Sequence, residues 1–209
     1  MTTDLTSTNT ANFLTTLTQT AAAYREGNKT PTAEVVVDAL LIAEKVAKQQ
    51  RLNYPFDSLM GTWRLCFATG TKKVRQRGGI ILGKGFYVPK LAKIQISFSP
   101  IGEEISDQGK VANQVKLGLI SLQLTGPAKY PGKKNLLAFD FTQMEISLFN
   151  RVVYNQEIRS GNNKSENFYQ QPLAKQAFFA FFLVTEDFIA ARGRGGGLAI
   201  WIRENWKYT

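Results

Sequence analysis

In the stretch Gly61-Thr62-Trp63-Arg64-Leu65-Cys66-Phe67 the hydrophobic period changes from helical to strand-like. Trp63, Leu65 and Phe67 alternate with other residues, and this period of two predicts a β-strand with one buried face. Further strands are expected downstream, between turn clusters rich in Gly, Pro, Ser and Asn, at residues 93–98, 115–124, 135–149, 151–158, 178–184 and 198–206. About seven to nine strands without intervening helices predict an antiparallel sheet that closes into a barrel or folds into a sandwich.

Upstream of residue 58 the apolar residues follow the helical period instead. A first helix is predicted from about Thr10 to Glu26, ended by Gly27-Asn28, and its apolar face holds Phe13, Leu14, Leu17, Ala21 and Tyr24. A second helix is expected to begin with Thr30 as N-cap and Pro31 at its first position, with an apolar face of Val35, Ala39, Ile42, Ala43 and Val46. The expected architecture is mainly β: residues 1–57 form a polar tail and a two-helix hairpin, which packs on a barrel of residues 58–209 as one structural unit.

The composition excludes several classes of site. The 209 residues include no histidine and a single cysteine, Cys66. They therefore supply no Ser-His-Asp or Cys-His pair, no imidazole metal ligand and no intrachain disulfide. Residues 1–24 lack the Lys and Arg of a signal or transit peptide, and no apolar run approaches the roughly 20 residues of a membrane helix. We expect a cytoplasmic protein without enzymatic activity, bound metal or covalent cofactor.

The positive charge is concentrated in one segment. The chain has a formal net charge of +10, and residues 58–102 carry eight basic residues and no acidic one. Such a segment attracts anions, whether nucleic acid, lipid headgroups or an acidic protein. The aromatic segment 86–89 lies within it and suits insertion into a membrane, so nucleic acid is not the expected partner. The predicted surface for an anionic membrane, or for the acidic face of a photosynthetic complex, comprises Lys72, Lys73, Arg75, Arg77, Lys84, Phe86, Tyr87 and Lys90.

Two motifs point to a family. The Gly61-x-Trp63 pair, preceded by helix, resembles the signature of lipocalin-type barrels, in which an Arg from a late strand stacks on the Trp and closes one barrel end. Arg192, Arg194 and Arg203 are the candidates for that partner. With the segment from Leu59 to Thr69, the middle strands and above all the segment from Phe182 to Leu198, the chain resembles the plastid-lipid-associated protein (fibrillin) family, of the cyanobacterial type.

This resemblance implies a lipocalin-like antiparallel barrel of about eight strands that binds a carotenoid, a quinone or a lipid non-covalently. It also implies a peripheral position on the thylakoid membrane and no enzymatic activity. Alternating aromatic residues are expected to line the barrel. If they fill it instead, the chain is an assembly module that docks on a photosynthetic or lipid-biosynthetic complex. The predicted ligand-binding residues are Trp63, Phe67, Phe98, Phe139, Phe141, Phe179, Phe181 and Arg192.

Overall fold

The computed structural model describes residues 4–70, 85–102, 107–158 and 168–204. Two helices come first, α1 at Asp4–Glu26 and α2 at Ala33–Gln50, and a short 3₁₀ turn at Phe56–Leu59 leads into the sheet. The strands of the described part are β1 Gly61–Ala68, β2 Phe86–Tyr87, β3 Ala92–Pro100, β4 Gln108–Leu117, β5 Ile120–Lys129, β6 Leu136–Phe139, β7 Gln143–Leu148, β8 Arg151–Glu157, β9 Ala177–Val184, β10 Phe188–Gly193 and β11 Leu198–Arg203.

Eight of these strands close into an antiparallel barrel, which confirms the predicted fold. Their order is β4-β3-β1-β11-β10-β9-β6-β5, and β5 then pairs with β4 from Ile120 to Lys129 and so closes the ring. Closure leaves none of the eight strands with an unpaired edge along its full length.

One strand pair leaves the barrel wall. The end of β5 pairs with β6 at Ala128 and Lys129, whereas its first half pairs with β7. Gly126 lies at this branch, and a Cβ there would come within 2.1 Å of the carbonyl oxygen of Asp140, so only glycine fits. Strands β7 and β8 therefore extend the sheet away from the barrel axis. We call residues 115–122 and 144–154 the strand arm.

The helical hairpin covers the outer face of β1, β9, β10 and β11. The predicted α1 face is confirmed at Phe13, Leu17, Ala21 and Tyr24 but is wrong at Leu14, which is exposed, and Gly27 (φ 86°) ends the helix as expected. The predicted α2 face is confirmed at Ala39 and Ala43, which are buried, and is wrong at Val35 and Ile42, which are exposed; the N-cap is Thr32 instead of Thr30. Because α2 packs on both α1 and the barrel, its buried face is shifted to Val36, Ala39, Leu40, Ala43 and Ala47, whose small members allow close approach.

Two strand boundaries also differ from the prediction. Residues 115–124 are not one strand, because the chain reverses at Gly118 (φ 58°) and forms the β4–β5 hairpin. Residues 135–149 divide into β6 and β7 at the branch, and β10 was not predicted as a strand. In the described part of the chain, no helix is long and apolar enough to cross a bilayer.

A β-bulge in β1 changes which residues face the interior. The register with β11 shifts between Leu65 and Phe67, so Phe67 joins Cys66 under the helices, while Trp63 remains inside the barrel. The prediction that Phe67 shares a face with Trp63 and Leu65 is therefore wrong.

Candidate functional site

Trp63 closes one end of the barrel, and its partner is Arg203. The two residues face each other across β1 and β11, and the guanidinium carbon of Arg203 lies 3.9 Å from the ring centroid of Trp63. Arg203 also donates hydrogen bonds to the carbonyl oxygens of Glu186 (2.6 Å) and Met60 (3.0 Å). A Cβ at Gly61 would lie 3.0 Å from Arg203 Nη1, which explains the glycine of the Gly-x-Trp pair. We call this the Trp63 end.

Arg192, predicted to bind ligand, lies on the outside of the barrel. Its Nε donates a hydrogen bond of 2.8 Å to Glu44 of α2, and its Nη1 donates one of 2.7 Å to the carbonyl oxygen of Gly196. The hydrogen bond from Arg192 lowers the pKa of Glu44, and the same bond raises the pKa of Arg192. Because Arg192 follows the second bulge, between β9 and β10, it faces α2 and stabilises the docking of that helix.

The remaining predicted phenylalanines lie together. Phe139 contacts Phe141 and Phe179, with ring centroids 5.3 and 4.9 Å apart. Phe179 in turn lies 6.2 Å from Phe181, which meets Phe98 edge-on at 6.1 Å. The rings of Phe139, Phe141 and Phe179 are half-buried, whereas those of Phe181 and Phe98 are buried in the core. The half-buried rings lie at the barrel end opposite Trp63, and we call this end the Phe139 end.

The core of the barrel is filled by side chains at the level of this row. The gap enclosed there has a volume of about 0 Å³ for a water-sized sphere, and it is lined by Ile96, Phe98, Phe179, Phe181, Ile189 and Trp201. A gap too small for a water molecule is usual inside a protein core. At this level the aromatic side chains act as core residues.

Beyond the Phe139 end the apolar interior continues along the strand arm. Neighbouring strands align apolar residues in cross-strand rows, one of which is Ile94–Val115–Leu122–Ile146. The adjacent row on the opposite face, Gln95–Gln114–Gln123–Glu145, is polar. Because side chains alternate between faces, the arm has one apolar face that is continuous with the core. Its side chains change from half-buried near the barrel to exposed at the tip.

Asn113 interrupts the apolar face. It lies between Ile96 and Leu124 in the next row of side chains. Its Oδ1 atom is buried and has no hydrogen-bond partner among the described residues. An orphaned acceptor in an apolar wall is costly and calls for a donor, such as a hydroxyl group. Sequence patterning gave no reason to single out Asn113.

The tip of the arm displays four large apolar side chains. Leu117, Leu119 and Ile120 are 61, 58 and 55% exposed, and Phe149 is 64% exposed. The two hairpin turns are joined, because the backbone N–H of Phe149 donates a hydrogen bond of 2.9 Å to the carbonyl oxygen of Leu119. Phe149 has a left-handed backbone (φ 51°), which is unusual for a bulky residue. These residues were not identified from the sequence.

The predicted basic surface is described only in part. Lys72, Lys73, Arg75, Arg77 and Lys84 lie outside the described residues, in a segment that joins the end of β1 to β2. Lys90 is exposed and Phe86 is half-buried beside Ala68.

Tyr87 faces inward instead of toward a membrane. Its ring meets Phe67 edge-on at 5.1 Å, and its hydroxyl donates a hydrogen bond of 2.8 Å to the carbonyl oxygen of Pro31. The pairing of β2 with β1 directs this side chain under the helices, so its assignment to the exposed surface is wrong.

A separate cleft lies on the outside of the barrel, between the end of α2 and strands β6 and β9. Its volume is about 660 Å³, within the range of small-molecule sites. Ala47, Leu136, Ala180 and Phe182 contribute apolar surface, and Lys48, Arg51 and Lys134 are the cations that line it. We call this the outer cleft.

No protein-family model and no curated protein sequence matches the chain. Among solved structures, the chain is similar to a lipocalin-like protein from Bacteroides uniformis ATCC 8492, at 13% sequence identity and a TM-score of 0.38. The similarity covers 70% of this chain and 99% of that chain.

Proposed function

We propose that this chain binds an elongated lipophile without transforming it, at the Phe139 end of the barrel and along the apolar face of the strand arm. One observation carries the proposal: an apolar face, interrupted at Asn113, extends from the half-buried rings of Phe139 and Phe179 to the exposed tip. A carotenoid, a quinone or an acyl lipid would cover this face and remove it from water, which is favourable by about 25 cal/mol per Å² of apolar area.

The packed core limits where a ligand can bind. Because Phe98 and Phe181 fill the interior, the ligand is proposed to contact Phe139, Phe141 and Phe179 from outside. The orphaned acceptor of Asn113 then favours a lipophile with a hydroxyl end, such as a quinol or a hydroxylated carotenoid.

The arm also supports a peripheral position on a membrane. Its exposed apolar tip suits insertion into the headgroup region, and Arg151, two residues after Phe149, is placed to meet anionic headgroups. The apolar face would then connect the bilayer to the Phe139 end. A photosynthetic membrane is proposed on the resemblance of the Phe182–Leu198 segment to the plastid-lipid-associated proteins.

The filled core favours a second candidate function. A barrel whose described core is filled at the level of Phe98 and Phe181 suits an assembly module, which would dock through the arm tip or the helical hairpin on a membrane complex. In that case the arm's apolar face contacts a partner protein instead of a lipophile.

A quenching titration with a short-tailed quinol and its quinone tests the first candidate. Trp201 lies 5.2 Å from Phe179, so a ligand at the Phe139 end is expected to quench its fluorescence. Ile146→Lys places a charge on the apolar face, and the matched control Ser147→Lys places it on the polar face. We expect quenching to be lost in Ile146→Lys and retained in Ser147→Lys. Equal quenching in both variants would refute binding on this face.

Flotation with liposomes tests the membrane position. Leu119→Glu is expected to abolish binding to anionic vesicles, whereas Gln114→Glu, on the polar face of β4, is expected to retain it. Binding of Leu119→Glu at the wild-type level would exclude the tip as the insertion site.

A further inference from the structure

The outer cleft has the features of a second ligand site, separate from the Phe139 end. It opens on the other side of the β9 wall, where Ala180 and Phe182 face α2 while Phe179 and Phe181 face the core. Leu136 and Ala47 complete an apolar floor. A ligand with an apolar tail could therefore lie between α2 and the barrel.

Of the three cations at the cleft, Lys48 is paired with Glu44, the acid that lines it, whereas Arg51 and Lys134 are not. Glu44 already accepts a hydrogen bond from Arg192, and it also lies 3.3 Å from Lys48 Nζ. Among the described residues, neither Arg51 nor Lys134 forms an ion pair. The cleft therefore presents positive charge above an apolar floor, which complements a molecule with an anionic head and an apolar tail.

The backbone around the cleft is held in an unusual conformation. Arg51 (φ 51°), Lys134 (φ 64°) and Asn135 (φ 50°) are three of the five non-glycine residues with positive φ in the described part of the chain. Left-handed residues of this kind cluster at binding sites, where the surrounding structure holds them in place. Arg51 occupies the position after α2 where glycine is the usual choice, and this places a guanidinium at the cleft.

A buried hydrogen-bond network fixes the floor. The Oδ1 atom of Asn135 accepts hydrogen bonds from the backbone N–H of Tyr54 (3.0 Å) and from the hydroxyl of Tyr130 (3.2 Å). Its Nδ2 donates one of 2.8 Å to the carbonyl oxygen of Leu52. Asn135 thereby joins the loop after α2 to the loop before β6, so the backbone segments that carry Arg51 and Lys134 are held together before any ligand arrives.

We infer that the outer cleft binds a single-chain anionic amphiphile, of which a fatty-acid carboxylate is the simplest example. Arg51 and Lys134 hold the anionic head, and the acyl chain lies on Ala180 and Phe182. A carboxylate and a lipid phosphate share this chemistry, so the test includes both.

The experiment is calorimetric titration of the full chain with laurate, lauryl phosphate and lauryl alcohol. We expect laurate to bind once in the cleft, and the double variant Arg51→Glu/Lys134→Glu to lose affinity by about tenfold or more. The control Lys29→Glu/Lys45→Glu makes the same change in net charge at exposed positions away from the cleft, and is expected to bind as the wild type does. A thermal melt of each variant confirms that it is folded.

The results separate the ligand sources and the two sites. Weaker binding of lauryl alcohol than of laurate supports recognition of the anionic head. If lauryl phosphate binds and laurate does not, the cleft is assigned to a lipid phosphate. The inference would be overturned if Arg51→Glu/Lys134→Glu bound laurate as tightly as Lys29→Glu/Lys45→Glu does. It would also be overturned if the wild type bound laurate and lauryl alcohol with equal affinity. The arm variant Ile146→Lys is expected to bind laurate as the wild type does. The proposals for the outer cleft and for the lipophile site can therefore be refuted independently.

Discussion

Replacing Arg203 with alanine is expected to lower the free energy of unfolding by about 4 kcal/mol. The guanidinium stacks on Trp63 at 3.9 Å, and a desolvated cation–π contact contributes about 2 kcal/mol. The two hydrogen bonds to the carbonyl oxygens of Glu186 and Met60 contribute about 1 kcal/mol each. Burial lowers the pKa of Arg203 but leaves it charged at neutral pH.

Urea unfolding followed by circular dichroism measures this loss, and a second arginine isolates the stacking contribution. Arg194 donates two hydrogen bonds of 2.9 Å to the carbonyl oxygens of Lys175 and Gln176. Because no ring stacks on Arg194 in the described residues, Arg194→Ala is expected to cost about 1–2 kcal/mol.

A double-mutant cycle of Arg203→Ala with Trp63→Leu is expected to give a coupling energy of about 2 kcal/mol. A coupling energy within error of zero would refute the closure of this barrel end by stacking.

Three further predictions concern single groups. Since Arg192 lowers the pKa of Glu44, the pair stabilises the fold above the carboxyl's unfolded pKa of 4.5, and this stability is lost as the pH falls through the folded pKa. Glu44→Gln is expected to remove this pH dependence from thermal melts in the acid range. An unchanged dependence of the melting temperature on pH would refute the pairing. Asn113→Leu is expected to stabilise the ligand-free protein by about 1–3 kcal/mol in urea, because it removes an orphaned acceptor; destabilisation would show that Oδ1 has a partner. Burial raises the pKa of Cys66 to about 12, so a thiol reagent is expected to label it only in denaturant, and rapid labelling of the folded protein would contradict its placement.

The sequence predicted the barrel because its main signals are local. Alternation in β1 and β3 and the apolar run of β9, together with turn residues between strands, indicate an antiparallel sheet whatever the tertiary contacts are. The Gly61-x-Trp63 pair also indicated an arginine partner. Choosing Arg203 required the register of β1 against β11, which a single sequence does not contain.

The errors have a common physical origin. The bulge in β1 moves Phe67 to the outer face, and nothing in the alternation of that stretch marks an extra residue. The β4–β5 turn has Gly118 between two leucines, so an apolar run concealed a hairpin. In both cases the pairing partner, and not the local pattern, determined where a side chain points.

The outer cleft and the arm tip depend on contacts between distant segments. Arg51 and Lys134 are 83 positions apart in the sequence, and they line one cleft because Asn135 binds the loop that follows α2. Leu119 and Phe149 form one surface because their turns share a hydrogen bond. A pattern read along the chain cannot detect such pairs.

The central claim, that the chain carries a lipophile on the apolar face of its arm, is tested most directly by mass spectrometry of the molecules extracted from natively purified protein. We predict a stoichiometric carotenoid, quinone or lipid in the wild type and in Ser147→Lys, and its loss in Ile146→Lys. Wild-type protein that yields no lipophile, or Ile146→Lys that retains the full amount, would contradict the account.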